Sequence, residues 1–306
     1  MPSLRLAVTL AALAATPLSA RPEDGPIQDN SFLVEEAYNQ EPGVIQHIST
    51  FTRSRTTGAW AYSMTEEWPV LGQTHQLSAT FTLAGLPAPG ATGMGDLALN
   101  YRLQAIGDGE SPVALAPRLS LLLPTGDPSR GLGAGGAGLQ VNVPLSVAFS
   151  SFVAHSNAGG TYIPSARAPG GSQGRLASFA VGQSLVWLAH RQVNFLVEAL
   201  YTRTDLAAGP GGRSETLTLN PGLRAAFDFL GGLQVVPGLG VPIGFGPSRG
   251  QTAIFLYLSL EHPFGPAGPT AEDSRKRSVR EVAEGEPVPP VANADLGASP
   301  ARPASP

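Results

Sequence analysis

The chain has 306 residues and a formal net charge of −4, with 37 Gly, 29 Pro, no Cys and only 14% charged residues. This composition excludes disulfides and thiolate metal sites. It offers no basic block for nucleic acid, and it favours many short strands with Gly- and Pro-rich loops over long helices. The one lysine, Lys276, lies near the C-terminus, so neither Schiff-base chemistry nor a Walker A loop has a candidate.

Residues 1–20 read as an export signal. Arg5 supplies the positive start, Leu6 to Ala15 the apolar run, and Leu18-Ser19-Ala20 a small-residue cleavage site. The run is too short to cross a bilayer as a helix. Residues 21–43 form an N-terminal periplasmic segment. In it, "DNSFLVEEAYNQE" predicts a short helix, with Asp29 to Ser31 as cap and Glu35 and Glu36 in the first turns. The expectation is that this segment packs on the first strand; a plug or lid at the periplasmic mouth is the alternative.

From residue 44 to 264 the sequence alternates. About twelve segments follow, at 44–53, 58–67, 75–84, 94–105, 113–123, 138–149, 152–162, 176–188, 192–203, 215–229, 232–243 and 251–264. In Leu139–Phe149 the positions Leu139, Val141, Val143, Leu145, Val147 and Phe149 share one face, opposite Gln140, Asn142, Pro144, Ser146 and Ala148. That is the period of a strand. Leu77/Phe81, Leu97/Leu99/Tyr101, Leu217/Leu219/Leu223 and Ile254/Leu256/Leu258 repeat it.

Three features point to a transmembrane barrel rather than a soluble sandwich. The segment count is even, and long connections alternate with tight ones such as Ser150-Ser151, His190-Arg191 and Gly231-Gly232. Aromatics (Trp68, Phe149, Trp187, Tyr201, Phe227, Phe229 and Phe264) gather near strand ends, as in interfacial girdles. Closure also removes the unpaired edges that lipid cannot hydrate. The predicted fold class is all-β, an antiparallel barrel in the outer membrane of a Gram-negative cell. It meets lipid outside and small solutes inside.

Gly133-Ala-Gly135-Gly-Ala-Gly138 matches the GxGxxG pattern of dinucleotide loops. A strand follows it where a helix is required, and Pro144 would break that helix. The stretch is expected to be a mobile outer loop, and no cofactor is implied.

Catalysis has no complete set of parts. His155 and Ser156 fall on opposite faces of a strand, Ser184 lacks the nucleophile-elbow context, and Glu66-Glu67 is split across the sheet. The histidines His47, His75, His155, His190 and His262 show no metal-ligand spacing. The polar faces carry the informative charges: Asp96, Arg102, Arg118, Glu198, Arg224, Asp228 and Glu261. A lipid-facing Arg at the midplane costs about 2–4 kcal/mol, so these residues are expected to line the lumen and set selectivity. The alternative is a polar network that fills a narrow barrel.

After Phe264, residues 265–306 are rich in Pro, Ala and charge and are expected to form a disordered periplasmic tail, with an envelope partner as its functional reading. Phe264 itself resembles the terminal aromatic read by the outer-membrane assembly machinery.

Two stretches carry a resemblance. "GMGDLALNYRLQ" (Gly93 to Gln104) and "PRLSLLLPTGD" (Pro117 to Asp127) resemble the exported β-barrel family of meta-pathway phenol-degradation channels. The resemblance implies an outer-membrane channel passing small aromatic or apolar compounds. It also makes Gly95, Asp96, Pro124 and Gly126 structural turn positions. The segment "SFLVEEAYNQEPGVIQH" and the long tail lie outside its pattern.

Overall fold

The computed structural model describes residues 27, 29–87, 90–109, 111–168, 170–206 and 212–264. The expected export signal and C-terminal tail lie outside these residues.

Twelve antiparallel strands close on themselves. They are β1 (Val44–Ser54), β2 (Trp60–Val70), β3 (His75–Gly85), β4 (Thr92–Met94 and Leu97–Leu103), β5 (Val113–Leu115 and Arg118–Leu123) and β6 (Gly138–Phe149). There follow β7 (Phe152–Arg167), β8 (Gln173–His190), β9 (Val193–Leu206), β10 (Arg213–Ala225 and Phe227–Asp228), β11 (Gln234–Gly240 and Ile243–Phe245) and β12 (Ala253–Pro263). The seam is a full ladder from Val44↔Pro263 to Ser54↔Ala253, so no edge is left open there. Four strands are interrupted. The breaks in β5 and β11 fall next to Pro117 and Pro242, which cannot donate to a ladder.

The period-2 pattern sets the radial direction of every side chain. Leu77, Phe81, Leu99, Leu139, Val141, Leu217, Leu223, Ile254 and Leu256 are exposed on the outside, the surface an aqueous protein would cover. Aromatics cluster at both rims. One belt holds Trp68, Phe227 and the contacts Phe149–Phe152 and Trp187–Phe195, with ring centroids 6.0 and 5.8 Å apart. The other holds Phe51–Trp60, Tyr162 and Phe179. An apolar band between two aromatic girdles is the exterior of an outer-membrane barrel.

The two ends differ. At the end holding the first and last strand termini, turns are tight at 71–74, 150–151 and 191–192, helped by left-handed Leu71 and Ser150. This is the periplasmic end by the turn-length rule. The expected alternation has exceptions: the 55–59 and 168–172 connections at the outer end are short, and the 104–112 link at the periplasmic end is long.

The glycine stretch after Gly131 is a folded loop, not the mobile one expected. Asp127 caps the one-turn 3-10 helix Pro128–Arg130, accepting from Ser129 N at 3.0 Å. The Ser129 hydrogen bonds hold the Asp127 carboxyl below the usual carboxylate range. Leu132 is buried, and Asp96 accepts from Gly126 N at 3.0 Å and Ala134 N at 2.7 Å. A Cβ on Gly133 would lie 2.5 Å from that carboxylate, which explains glycine there.

The interior has its own apolar cluster. Phe32 stacks on Phe255 and lies tilted against Tyr257, both with ring centroids at 5.3 Å, and packs with Ile27, Ile48, Val186, Leu196 and Val236.

Candidate functional site: a lumen held by the N-terminal segment

No helix forms over residues 27 and 29–43. The helix expected there is replaced by an irregular strand of backbone, almost wholly buried from Asp29 to Gln40. Its hydrogen-bond partners come from β10, β12, β8, β9, β7, β5, β6, β4, β3 and β1, taken roughly in its own chain order. Only a segment inside the cylinder can reach all of these walls. The expectation that it packs on the first strand is therefore corrected. A helix would satisfy its own amides; here wall side chains take them instead.

The contacts begin at Arg224. Its guanidinium donates to the carbonyls of Asp29 (2.5 Å), Asn30 (2.7 Å) and Ile27 (3.3 Å). The Asp29 carboxylate accepts from Tyr257 (2.6 Å) and Gln46 (3.0 Å). The Ser31 and Ser184 hydroxyls meet at 2.7 Å. Glu198 then accepts the backbone amides of Leu33 and Val34 at 2.8 and 3.1 Å, while Asn220 holds its second oxygen at 2.8 Å.

Further along, side-chain amides act as substitute strand neighbours. Asn157 accepts from Glu35 N at 2.9 Å and donates to Glu35 O at 2.8 Å. Gln104 accepts from Asn39 N at 2.8 Å and donates to Ala37 O at 2.7 Å. Arg118 grips the Glu35 carboxylate with two nitrogens, at 2.6 and 3.0 Å. Such a planar fork-to-carboxylate pair is directional as well as strong. Arg102 donates to Tyr38 O (2.5 Å) and Asn39 Oδ1 (2.8 Å), and Gln76 accepts from Gln40 N at 2.8 Å.

Inward glycines make room. A Cβ at Gly222 or Gly238 would lie 2.6 or 2.5 Å from the Phe32 ring, and one at Gly182 would lie 2.9 Å from Val34.

The charged positions singled out from sequence thus do different things. Arg102, Arg118, Glu198 and Arg224 converge on the segment. Glu261 accepts from Gln46 at 2.6 Å, beside the Asp29 contact. Asp228 accepts from Gln234 at 2.7 Å across β10 and β11, away from the segment. Asp96 sits in the break of β4 and holds the outer loop. Sequence reasoning missed the neutral partners Gln46, Gln76, Gln104, Ser146, Asn157 and Ser184. The signal was present, since these residues recur on the wet face near the periplasmic strand ends.

His155 is buried and inward, bonded through Nδ1 to Ser146 Oγ at 2.7 Å, and that oxygen also accepts from Ala37 N. Ser156 points outward to Gln183. Both residues of the expected opposed pair are engaged elsewhere.

Nearly all the segment's partners lie in the periplasmic half of their strands. Toward the outer end the inward positions include Thr50, Ser63, Thr65, Thr80, Thr161, Ser178, Thr202, Thr204 and Thr216, all partly accessible and none charged. Gln140 and the apolar Leu122, Ile163, Leu176 and Leu206 share that face, with Ile163 buried. The lumen is therefore filled at its periplasmic end and partly accessible, with a wall rich in hydroxyls, toward the other.

No family model matches the sequence, and neither does any curated protein. Among solved structures the chain is similar to an outer-membrane channel from Pseudomonas putida F1, with TM-score 0.57 and 13% identity over 74% of this chain and 98% of that one. The NanC porin matches at TM-score 0.49 and 7% identity over 72% of this chain and 100% of that one. The KdgM porin matches at 0.42 and 9%, covering 70% and 97%. At 13% identity the first likeness is one of fold, and with the apolar girdled exterior it makes this chain an outer-membrane β-barrel.

Proposed function

We propose that the protein is a passive outer-membrane channel for small uncharged solutes, closed at its periplasmic mouth by its own N-terminal segment. The observation that carries this reading is the division of the lumen. An outer half rich in hydroxyls is partly accessible, and the periplasmic half is occupied by the N-terminal segment. A barrel meant only as a scaffold has no need of an accessible polar half.

The wall chemistry supports solutes that exchange water hydrogen bonds for Thr and Ser hydroxyls without bringing charge. Small aromatic compounds, implied by the family resemblance, belong to that class. The charged residues act on the segment first. When the segment shifts, Arg102, Arg118, Glu198 and Arg224 become the constriction that sorts solutes.

The test is conductance in planar bilayers of the full mature chain against a chain lacking residues 21–41. The proposal expects small or intermittent currents from the first and steady, larger currents from the second. A shortened barrel that folds, shown by its heat-dependent gel shift, and still passes no current would support the scaffold reading and overturn the channel.

A further inference from the structure

Two imidazoles meet on the outward face at the seam where the barrel closes. His47 lies on β1 and His262 on β12, diagonal neighbours in the closing ladder. Their Nε2 atoms are 2.9 Å apart, and the rings meet edge to edge with centroids 5.0 Å apart and 22° between planes. The other nitrogen of each ring is also engaged. His47 Nδ1 is 2.5 Å from Oε2 of Glu66 on β2, and His262 Nδ1 is 3.0 Å from the Pro263 carbonyl oxygen.

This arrangement constrains the protons. A carboxylate and a carbonyl only accept, so each Nδ1 must carry a hydrogen. A neutral imidazole protonated on Nδ1 has a lone pair on Nε2. Two lone pairs then face each other at hydrogen-bond distance, which is repulsive unless a cation lies between them. A histidine ligand with its far nitrogen anchored on a carboxylate or carbonyl is the usual supporting arrangement at metal centres.

We propose that His47 and His262 bind a divalent transition-metal ion through their Nε2 atoms, stapling the first strand of the barrel to the last. Imidazole donors suit zinc, copper and nickel. Bonds of about 2.0–2.1 Å at a tetrahedral angle separate the two nitrogens by about 3.3 Å, so the rings need to part by a few tenths of an ångström and to tilt until both lone pairs converge on the ion. Among the described residues no group of three or more His, Asp or Glu is placed to hold a metal. Water oxygens therefore complete the shell, and the half-exposed position of His47 admits them.

The experiment uses the full mature chain, folded in detergent and carrying no histidine tag. Zinc titration by calorimetry should give one saturable site per chain, lost in His47→Gln and in His262→Gln. Glu66→Gln should keep the site but weaken it about 10–100-fold, as for other supporting partners. Zinc should raise the unfolding temperature of the unaltered chain and leave the two histidine variants unmoved. Copper bound to the unaltered chain should show coupling to two imidazole nitrogens by electron paramagnetic resonance, a readout that needs no variant. No saturable zinc site would mean that a shared proton bridges the pair, and it would overturn the proposal. So would zinc binding that both histidine variants retain, or copper coupled to fewer than two imidazoles.

Discussion

Asn157 and Glu35 exchange two hydrogen bonds, as paired residues of an antiparallel ladder do, but one of them contributes only its side chain. Asn157 Oδ1 takes the Glu35 amide at 2.9 Å, and its Nδ2 gives to the Glu35 carbonyl at 2.8 Å. Gln104 repeats the device with Ala37 and Asn39. The wall thus binds the segment as a sheet would, without a neighbouring strand being spent on it. None of these links belongs to the barrel ladder, which would stay whole if the segment shifted.

Glu198 is the acceptor whose loss should loosen the segment most. Glu198→Ala orphans the Leu33 and Val34 amides and the Asn220 side chain. Each buried group left unsatisfied costs about 1–3 kcal/mol. Amide hydrogen exchange at residues 33 and 34 should accelerate by tenfold or more in this variant, because about 1.4 kcal/mol already corresponds to a factor of ten. The ladder amides of β9 should stay protected.

Gly222→Leu tests the steric fit. The new side chain would enter the space of the Phe32 ring, whose Cε2 atom lies 2.6 Å from a Cβ there. Overpacking of this kind costs about 1–3 kcal/mol, and the segment rather than the barrel should yield. A Phe32→Trp reporter should be shielded from acrylamide in the parent and open to it in the Gly222→Leu background. The heat-dependent gel shift should persist in both.

The radial assignment is tested by neighbours on one strand. Phe81 faces outward and Thr80 inward, bonded to Thr65 at 2.9 Å. Phe81→Arg should destabilise the bilayer-folded state by about 2–4 kcal/mol if the position lies near the midplane. Thr80→Arg should cost less, because its head can reach lumen water. Urea unfolding from lipid vesicles measures both.

Asp96 separates an anchoring role from a selectivity role. Asp96→Ala should free the Gly126 and Ala134 amides, raising hydrogen exchange across residues 124–137. The ion preference of the opened channel should stay where it was. A changed preference would return Asp96 to the lumen lining.

The barrel was legible because lipid outside and water inside enforce strict alternation. Leu139, Val141 and Val143 cannot be read otherwise once Pro144 rules out a helix. Phe227, Trp187 and Phe149 likewise marked the rim. The segment was not legible, because its contacts come singly from ten strands and leave no period. Glu35 and Glu36 imitate a helix start, yet the Glu35 amide is claimed by Asn157 of the wall and the Glu36 amide by Asn30 of the segment itself, partners that local propensity cannot anticipate. The charged wall residues were legible as a set, but sorting Asp96 from Arg224 required knowing where β4 breaks.

The central claim is that Ser31 sits inside the barrel against Ser184, with their hydroxyls 2.7 Å apart. The chain has no cysteine of its own, so Ser31→Cys with Ser184→Cys creates one defined pair within disulfide reach. In intact outer membranes under mild oxidation the account predicts near-complete cross-linking of positions 31 and 184. Two free thiols, with the one at position 31 open to a bulky maleimide, would contradict it.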